Sequence, residues 1–335
     1  MGTEDDGPEP DDPEGRRGAP RRPQTARQHG RTQSREPPTR GERMSDKALI
    51  FLSYGGQPKN IAETTYAVLS ARRAVGADRD IDLVLYTDRP DLYADLPAEL
   101  RTITPAELTR WAGPDGYAHR RKIAVLDDAL TSLQVPVALV DSDTWFRRPA
   151  ARLFERIAPG RTVMHLREGN LDEGREPDQA VAAQLDGMTC TRLDGGVHTL
   201  TRDMPMWNSG VVGIHPHDGH LVREAMHLTD QLYPAHRDFF TLEQLAVSCF
   251  LDTGTDVSAS SDVVYHYWHD IVRAPFDAAL PSLLERTASL PLPQRLEVLH
   301  RHRPRLRGRD RAKFLARELL RASGRRTKSV RSSAT

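Results

Sequence analysis

The chain has 335 residues, with 47 Lys and Arg against 47 Asp and Glu, so its formal net charge is zero. That balance gives no general attraction to polyanions, and we expect no stable nucleic-acid partner. Two cysteines are too few for a disulfide framework and predict a reducing, cytoplasmic setting. No apolar run is long enough to span a bilayer.

The two ends of the chain differ from its centre in composition. The first 48 residues contain no Leu, Ile, Val, Phe, Tyr or Trp, so we expect residues 1–43 to be a disordered tail and not a signal peptide. Residues 301–331 contain 13 Lys and Arg but only two acidic residues. We predict a helical, Arg-rich extension over 279–335. Contact with an anionic membrane, nucleic acid or another polyanion fits its charge, and a simple solvated tail fits it equally well. Residues 44–278 then form the folded domain.

The folded part opens with alternating strands and helices. An apolar run over 48–54 ends at Gly55 and Gly56, and a helix is predicted from Pro58. A second strand, over 81–86, ends at a polar turn that contains Asp88. This order is the opening of a right-handed nucleotide-binding unit, but it lacks G-x-G-x-x-G, which argues against a dinucleotide site. A short strand over 100–103 and helices over 105–111 and 120–133 follow.

The central feature is a Val-rich strand over 135–140 that stops at Asp141, Ser142 and Asp143. A continuous apolar strand is typical of a buried parallel sheet, whose ligands bind beyond the carboxyl ends of the strands. If the backbone stays extended, the two aspartates point to the same side and suit a divalent cation that also holds a diphosphate. The same tripeptide is also common in turns and helix caps, where Asp and Ser side chains accept hydrogen bonds from nearby backbone amides.

Beyond this strand the periodicity weakens and then returns. A helix over 149–157 and a strand over 162–166 precede residues 168–205, a polar stretch that predicts an active-site loop or lid and a region that selects the acceptor. The later predicted elements are a strand over 206–214, helices over 220–233 and 241–251, and an aromatic strand over 263–269.

Polar side chains stand at the ends of several predicted strands, where a parallel sheet gathers them at one edge. With the two aspartates, His266 or His269 would complete a mixed oxygen and nitrogen site that suits Mn²⁺ or Mg²⁺. Arg120, Arg121 and Lys122 are nearby cations for phosphate groups, and Lys122 is the one expected to face inward. A histidine in an aromatic segment is more often a packed residue than a ligand, so both interpretations stay open.

Two motifs together resemble a known family. Asp141-Ser142-Asp143 after a Val-rich strand resembles the DxD motif of GT-A fold glycosyltransferases. The run over 207–212 resembles the Asn-Ser-Gly motif of family 8 and related nucleotide-diphospho-sugar transferases, and Glu243-Gln244 stand where that family often has an acidic-Gln pair. The resemblance covers roughly residues 47–275. It implies an α/β GT-A (Rossmann-like) fold with a mixed, mostly parallel sheet flanked by helices.

The resemblance implies a metal-dependent glycosyltransferase that moves a sugar from a nucleotide diphosphate sugar to an acceptor, with Mn²⁺ or Mg²⁺ as cofactor. The acceptor class stays open among glycan, lipid, protein and small molecule. Taken with the residue pattern, it assigns Asp141, Asp143 and His266 to the metal, Tyr54, Gly55, Asp88, Lys122, Asp141 and Ser142 to the donor, and Asn208, Glu243 and Gln244 to the donor sugar or acceptor.

Two alternatives remain at this point. A sugar-phosphate nucleotidyltransferase uses a similar sheet but is expected to carry a Gly-rich, basic first loop, of which residues 54–59 are a faint version. A non-catalytic anion-binding protein would act through the basic tail.

Overall fold

The structure is a computed structural model and describes residues 45–78, 80–174 and 176–304. The predicted N-terminal tail and the part of the Arg-rich extension beyond residue 304 lie outside the described residues. The strands are β1 (Lys47–Ser53), β2 (Ile81–Thr87), β3 (Glu99–Thr102), β4 (Val137–Val140), β5 (Thr144–Phe146), β6 (Arg161–Met164), β7 (Arg167–Asn170), β8 (Thr189–Thr191), β9 (Val197–Thr199), β10 (Pro205–Trp207), β11 (Val211–Ile214), β12 (Asp256–Ala259) and β13 (Val264–His266). The helices are α1 (Pro58–Val75), α2 (Pro105–Trp111), α3 (Arg120–Leu133), α4 (Ala151–Phe154), α5 (Glu176–Leu185), α6 (Gly219–Leu232), α7 (Leu242–Gly254), α8 (Asp270–Thr287) and α9 (Leu292–Arg301).

Seven of these strands form one sheet in the order β12-β6-β11-β4-β1-β2-β3. Strand β11 runs antiparallel to both of its neighbours, and the other described pairings in this sheet are parallel. The predicted mixed, mostly parallel sheet flanked by helices is confirmed. The parallel strands end on the edge where β11 begins, so residues after β1, β2 and β4 meet residues before β11.

Helices cover both faces of the sheet because its central strands are apolar on both sides. On one face Ile50, Val137 and Leu139 belong to an apolar cluster that includes buried residues of α3, α6 and α7. On the other face Leu49 and Phe51 pack in a cluster with residues of α1 and α4. A third cluster joins α1 to α8 and α9. The site edge is thereby held by a core on either side.

Helix α3 begins and ends where the sequence predicts, because its apolar residues follow a clear helical period. Helix α4 is much shorter than the predicted helix over 149–157. Helix α8 begins at Asp270 and crosses the predicted domain boundary at 278/279, so the division into domains stays a prediction. No helix among the described residues has the length and apolarity needed to cross a membrane.

The stretch over 168–205, which we predict to be an active-site loop or lid, contains regular secondary structure. This stretch contains β7, α5 and the paired strands β8 and β9, and β7 pairs with β10. Leu171, Leu185 and Leu200 are fully buried, which fixes these short elements on the core. The elements are short and their apolar residues sparse, so no period of two or 3.6 residues stands out in the sequence.

Candidate functional site

Three residues that can hold a metal ion meet at the carboxyl edge of the sheet. One ligand atom from each of Asp141, Asp143 and His266 lies within 4.8 Å of the others. The aspartates follow β4, where the chain bends at Ser142 before continuing into β5. Strand β13 pairs antiparallel with β5, and this register sets His266 opposite Thr144 and beside Asp143. The two aspartates converge through this bend, not through an extended backbone.

The imidazole of His266 is held in one orientation by its neighbours. Its Nδ1 lies 2.8 Å from Oδ1 of Asn208, and its Nε2 lies 3.0 Å from Oδ1 of Asp143. Asn208 Oδ1 also accepts the backbone N–H of Gly210, and Asn208 Nδ2 donates to Glu168. The amide oxygen therefore faces His266 and accepts from Nδ1–H, which leaves Nε2 directed at the aspartates.

Gly210 is required by this arrangement. A Cβ added at this position would lie 2.1 Å from Nδ1 of His266, far inside any normal contact. The glycine of the Asn-Ser-Gly run thus makes room for the imidazole ring.

Lys122 neutralises the other side of the site. It projects from the first turn of α3, and its Nζ lies 2.9 Å from Asp141 Oδ1, 3.2 Å from Glu243 Oε1 and 3.2 Å from Ser209 Oγ. Burial opposes the charged form of Lys122, but the two carboxylates outweigh it and raise its pKa. The prediction that Lys122 faces inward is confirmed.

The metal-site residues themselves have shifted protonation equilibria. Burial raises the pKa of Asp143, but the charges of His266 and Arg273 outweigh it and hold this pKa well below its usual range. Burial likewise disfavours charge on His266, yet Asp143 and Asp141 raise its pKa overall. Asp143 is therefore ionised, as a hard metal ligand must be.

The predicted catalytic residues lie directly beside Lys122. Ser209 Oγ donates to Glu243 Oε1 over 2.7 Å, and Gln244 Oε1 accepts from the backbone N–H of Ser209. Gln244 Nε2 and Asn208 Nδ2 both donate to the Glu168 carboxylate. The structure thus brings the Asn-Ser-Gly run, the start of α7 and the aspartates into one continuous network.

The predicted nucleotide residues form a neighbouring cluster at the ends of β1 and β2. The backbone N–H of Gly55 donates to both carboxylate oxygens of Asp88, each at 3.1 Å. The Tyr54 hydroxyl donates to the carbonyl of Ala118, shortly before α3, and Arg121 stacks over the Tyr54 ring at 4.8 Å. This half-exposed turn adjoins the helix that carries Lys122.

Three other candidates lie outside this network. The Arg120 guanidinium pairs with Asp230 on α6, and Arg121 donates to the carbonyl of Leu108, so both stabilise the fold. His269 occupies the position directly before α8, and its ring stacks on Trp268 at 3.7 Å. Of the two histidines left open by the sequence, His266 is the one that clusters with the two aspartates.

Sequence reasoning missed two residues that touch the network. Glu168 is the second residue of β7, in the stretch interpreted as a loop, and it accepts from both Asn208 and Gln244. Arg273 lies on α8, and its Nη1 is 2.8 Å from Asp143 Oδ2. Neither residue belongs to a motif. The available signal for Arg273 was its position, seven residues after His266 and close to the last predicted strand.

Comparison with known proteins gives limited information. No protein-family model matches the chain, and no curated protein matches it. Solved structures do match. One is the galactosyltransferase LgtC, described in complex with donor and acceptor sugar analogues; it is 12% identical, the alignment covers 76% of this chain and 95% of that chain, and the TM-score is 0.47. At these values no residue role is transferred from it.

Proposed function

We propose that this protein is a metal-dependent glycosyltransferase that moves a sugar from a nucleotide diphosphate sugar to an acceptor. The observation that carries the proposal is the cluster of Asp141, Asp143 and His266 at the carboxyl edge of a mostly parallel sheet. Two carboxylates and one imidazole form a donor set that suits Mn²⁺ or Mg²⁺. A divalent cation bound there would act as a Lewis acid and stabilise charge on the departing diphosphate.

The residues around the cluster support the same reaction. Tyr54, Gly55 and Asp88 line the turn after the first two strands, where a nucleoside would bind beside Ser142 and Asp141. Lys122 holds Asp141 in place and supplies positive charge next to the diphosphate. Asn208, Glu243 and Gln244 present carboxylate and amide groups on the side of Ser209, where they would orient sugar hydroxyls.

The reaction products distinguish this function from the sugar-phosphate nucleotidyltransferase. The protein should be incubated with Mn²⁺ and a panel of UDP-sugars and GDP-sugars, and the nucleotide products separated by chromatography. A glycosyltransferase releases nucleoside diphosphate. Release is slow when the sugar is transferred to water and faster when a suitable acceptor is present. The nucleotidyltransferase would instead release pyrophosphate from a nucleoside triphosphate and a sugar phosphate.

Matched variants make this experiment specific. Asp143→Asn removes the charge at nearly constant volume and is expected to abolish release of nucleoside diphosphate. His269→Asn is the control, because His269 lies outside the cluster, and it should retain release. Equal activity of both variants would contradict the proposed site.

Candidate acceptors include glycans, lipids, proteins and small molecules. The elements of 168–205 border the network through Glu168 and remain our proposed region for acceptor choice. Action in the cytoplasm, with the Arg-rich end in contact with an anionic surface, also stays a proposal. That end lies largely outside the described residues.

A further inference from the structure

Arg273 connects the metal-site cluster to the helices that follow the sheet. Its Nη1 forms an ion pair with Asp143 and lies 2.8 Å from Asp143 Oδ2. Its other edge binds the Glu63 carboxylate of α1 in bidentate fashion, with Nε at 2.8 Å and Nη2 at 2.9 Å. The Glu63 side chain is 1% exposed. Arg273 is therefore fixed from the side opposite Asp143 by the buried carboxyl group of Glu63.

The ion pair with Arg273 and the contact with His266 involve different oxygens of the Asp143 carboxylate. Asp143 Oδ2 faces Arg273, whereas Oδ1 faces Nε2 of His266 at 3.0 Å. Each carboxylate oxygen has about two lone-pair sites, so Oδ1 can contact His266 and still face a third group. The structure thus assigns the two oxygens separate partners, and Oδ1 is the one on the His266 side of the cluster.

The positive charge of Arg273 is balanced locally. Asp277, one turn further along α8, lies 3.7 Å from Arg273 Nε and 2.8 Å from the Lys59 ammonium. Two cations, Arg273 and Lys59, therefore lie beside the carboxyl groups of Glu63 and Asp277. Arg273 also contacts Asp143. Burial raises the pKa of Glu63 to about 7 although Arg273 beside it lowers this pKa. Glu63 and Asp277 offset part of the charge of Arg273, and its ion pair with Asp143 holds that carboxylate in place.

Helix α8 remains attached to the fold by apolar contacts that do not involve Arg273. Phe276 packs edge-on against Tyr66 of α1 and against Tyr267, with ring centroids 4.9 and 5.2 Å apart. Leu280 and Leu283 are buried in the same cluster. We therefore expect α8 to stay docked on the fold in variants of Arg273.

We propose that Arg273 is a positioning residue for the metal site and that it couples metal binding to the docking of α8. The inference rests on the proposed function in one respect, namely that Asp141, Asp143 and His266 hold a divalent cation. Coupling between two binding events is reciprocal. If the contact between Arg273 and Asp143 increases the affinity of the site for metal, then bound metal must strengthen that contact by the same factor. Metal binding should then protect α8 from local opening.

The test measures Mn²⁺ binding directly, from the electron paramagnetic resonance signal of free Mn²⁺, without any turnover. The main variant is the double substitution Arg273→Met with Glu63→Gln, which removes the anchor without leaving a buried charge unpaired. Arg273→Lys keeps the charge but not the fork that spans two carboxylates. Arg223→Met is the matched control, because Arg223 pairs with Asp127 on the exterior. Hydrogen exchange of α8 with and without Mn²⁺ is the second readout.

We expect the double variant to bind Mn²⁺ about 10- to 100-fold more weakly, the range for loss of an outer-shell partner. Arg273→Lys should fall between it and wild type, and Arg223→Met should match wild type. Mn²⁺ should slow exchange in α8 of wild type and not of the double variant. Unchanged or tighter Mn²⁺ binding by the folded double variant would overturn the inference while leaving the proposed function intact. Failure of the wild-type protein to bind Mn²⁺ would overturn both.

Discussion

Replacing Gly210 with Ala tests the link between the Asn-Ser-Gly run and the metal site. The new Cβ would lie 2.1 Å from His266 Nδ1 and 2.6 Å from its Cε1. Reaching an ordinary contact near 3.4 Å requires a relative shift of about 1.3 Å. The backbone of Gly210 is paired to Asp141, so the imidazole ring is the part that moves. We expect His266 to lose both its Asn208 and its Asp143 contacts.

The magnitude follows from these distances. Overpacking of this kind costs roughly 1–3 kcal/mol of stability. The effect on metal affinity should be larger, because His266 would no longer point at the metal. We expect Mn²⁺ affinity to fall by at least the ~10- to 100-fold seen for lost outer-shell partners. Mn²⁺ titration and urea unfolding of the same preparation separate the two effects.

The same strand offers a matched control. A Cβ on Gly213 would lie 2.4 Å from Val163 Cγ2 and 2.6 Å from Ile157 Cδ1, within the core and away from the site. Gly213→Ala should therefore lower stability by a similar amount and leave Mn²⁺ affinity of the folded protein unchanged. Gly219→Ala, whose Cβ would have its nearest neighbour at 3.7 Å, should alter neither. A folded Gly210→Ala protein with wild-type Mn²⁺ affinity would refute the placement of His266 in the metal site.

Two further substitutions test the remaining contacts of the site. Lys122→Met leaves Asp141 and Glu243 close together without a counter-ion, so the free energy of unfolding should fall by on the order of 3 kcal/mol, and adding Glu243→Gln should restore part of it. Urea unfolding of both proteins measures this, and a double variant no more stable than the single one would contradict the charge-balance account. Asn208→Leu keeps side-chain size but removes the acceptor for His266 Nδ1, so Mn²⁺ affinity should fall by about 10- to 100-fold. Retention of full affinity, measured by Mn²⁺ titration, would show that the Asn208 contact is dispensable.

Much of the sheet edge is predictable from the sequence because local signals agree there. The Val-rich strand before Asp141 is apolar on both faces, and the polar residues after it can only lie at the strand end. Helix α3 has a clear apolar stripe, which also predicts that Lys122 faces inward. The position of Asn208 and Ser209 has a less obvious cause. They precede a strand instead of following one, and they reach the site because β11 is antiparallel.

Other parts of the site depend on tertiary packing that leaves no local pattern. His266 and His269 are equivalent in the sequence, and only the pairing of β13 with β5 sets His266 beside Asp143. Glu63 lies in an amphipathic helix where an acidic residue predicts an exposed position, yet it is buried because α8 covers it with Arg273. The contact between Arg273 and Glu63 joins residues 210 positions apart, which no spacing rule connects.

The central claim is tested most directly by calorimetric titration of UDP and of GDP, with and without Mn²⁺, into wild type and Asp143→Ala. The account predicts that one nucleotide binds wild type in a Mn²⁺-dependent manner and that this binding is lost in the folded variant. Binding that ignores both Mn²⁺ and the substitution, or no binding of either nucleotide to folded wild type, would contradict it.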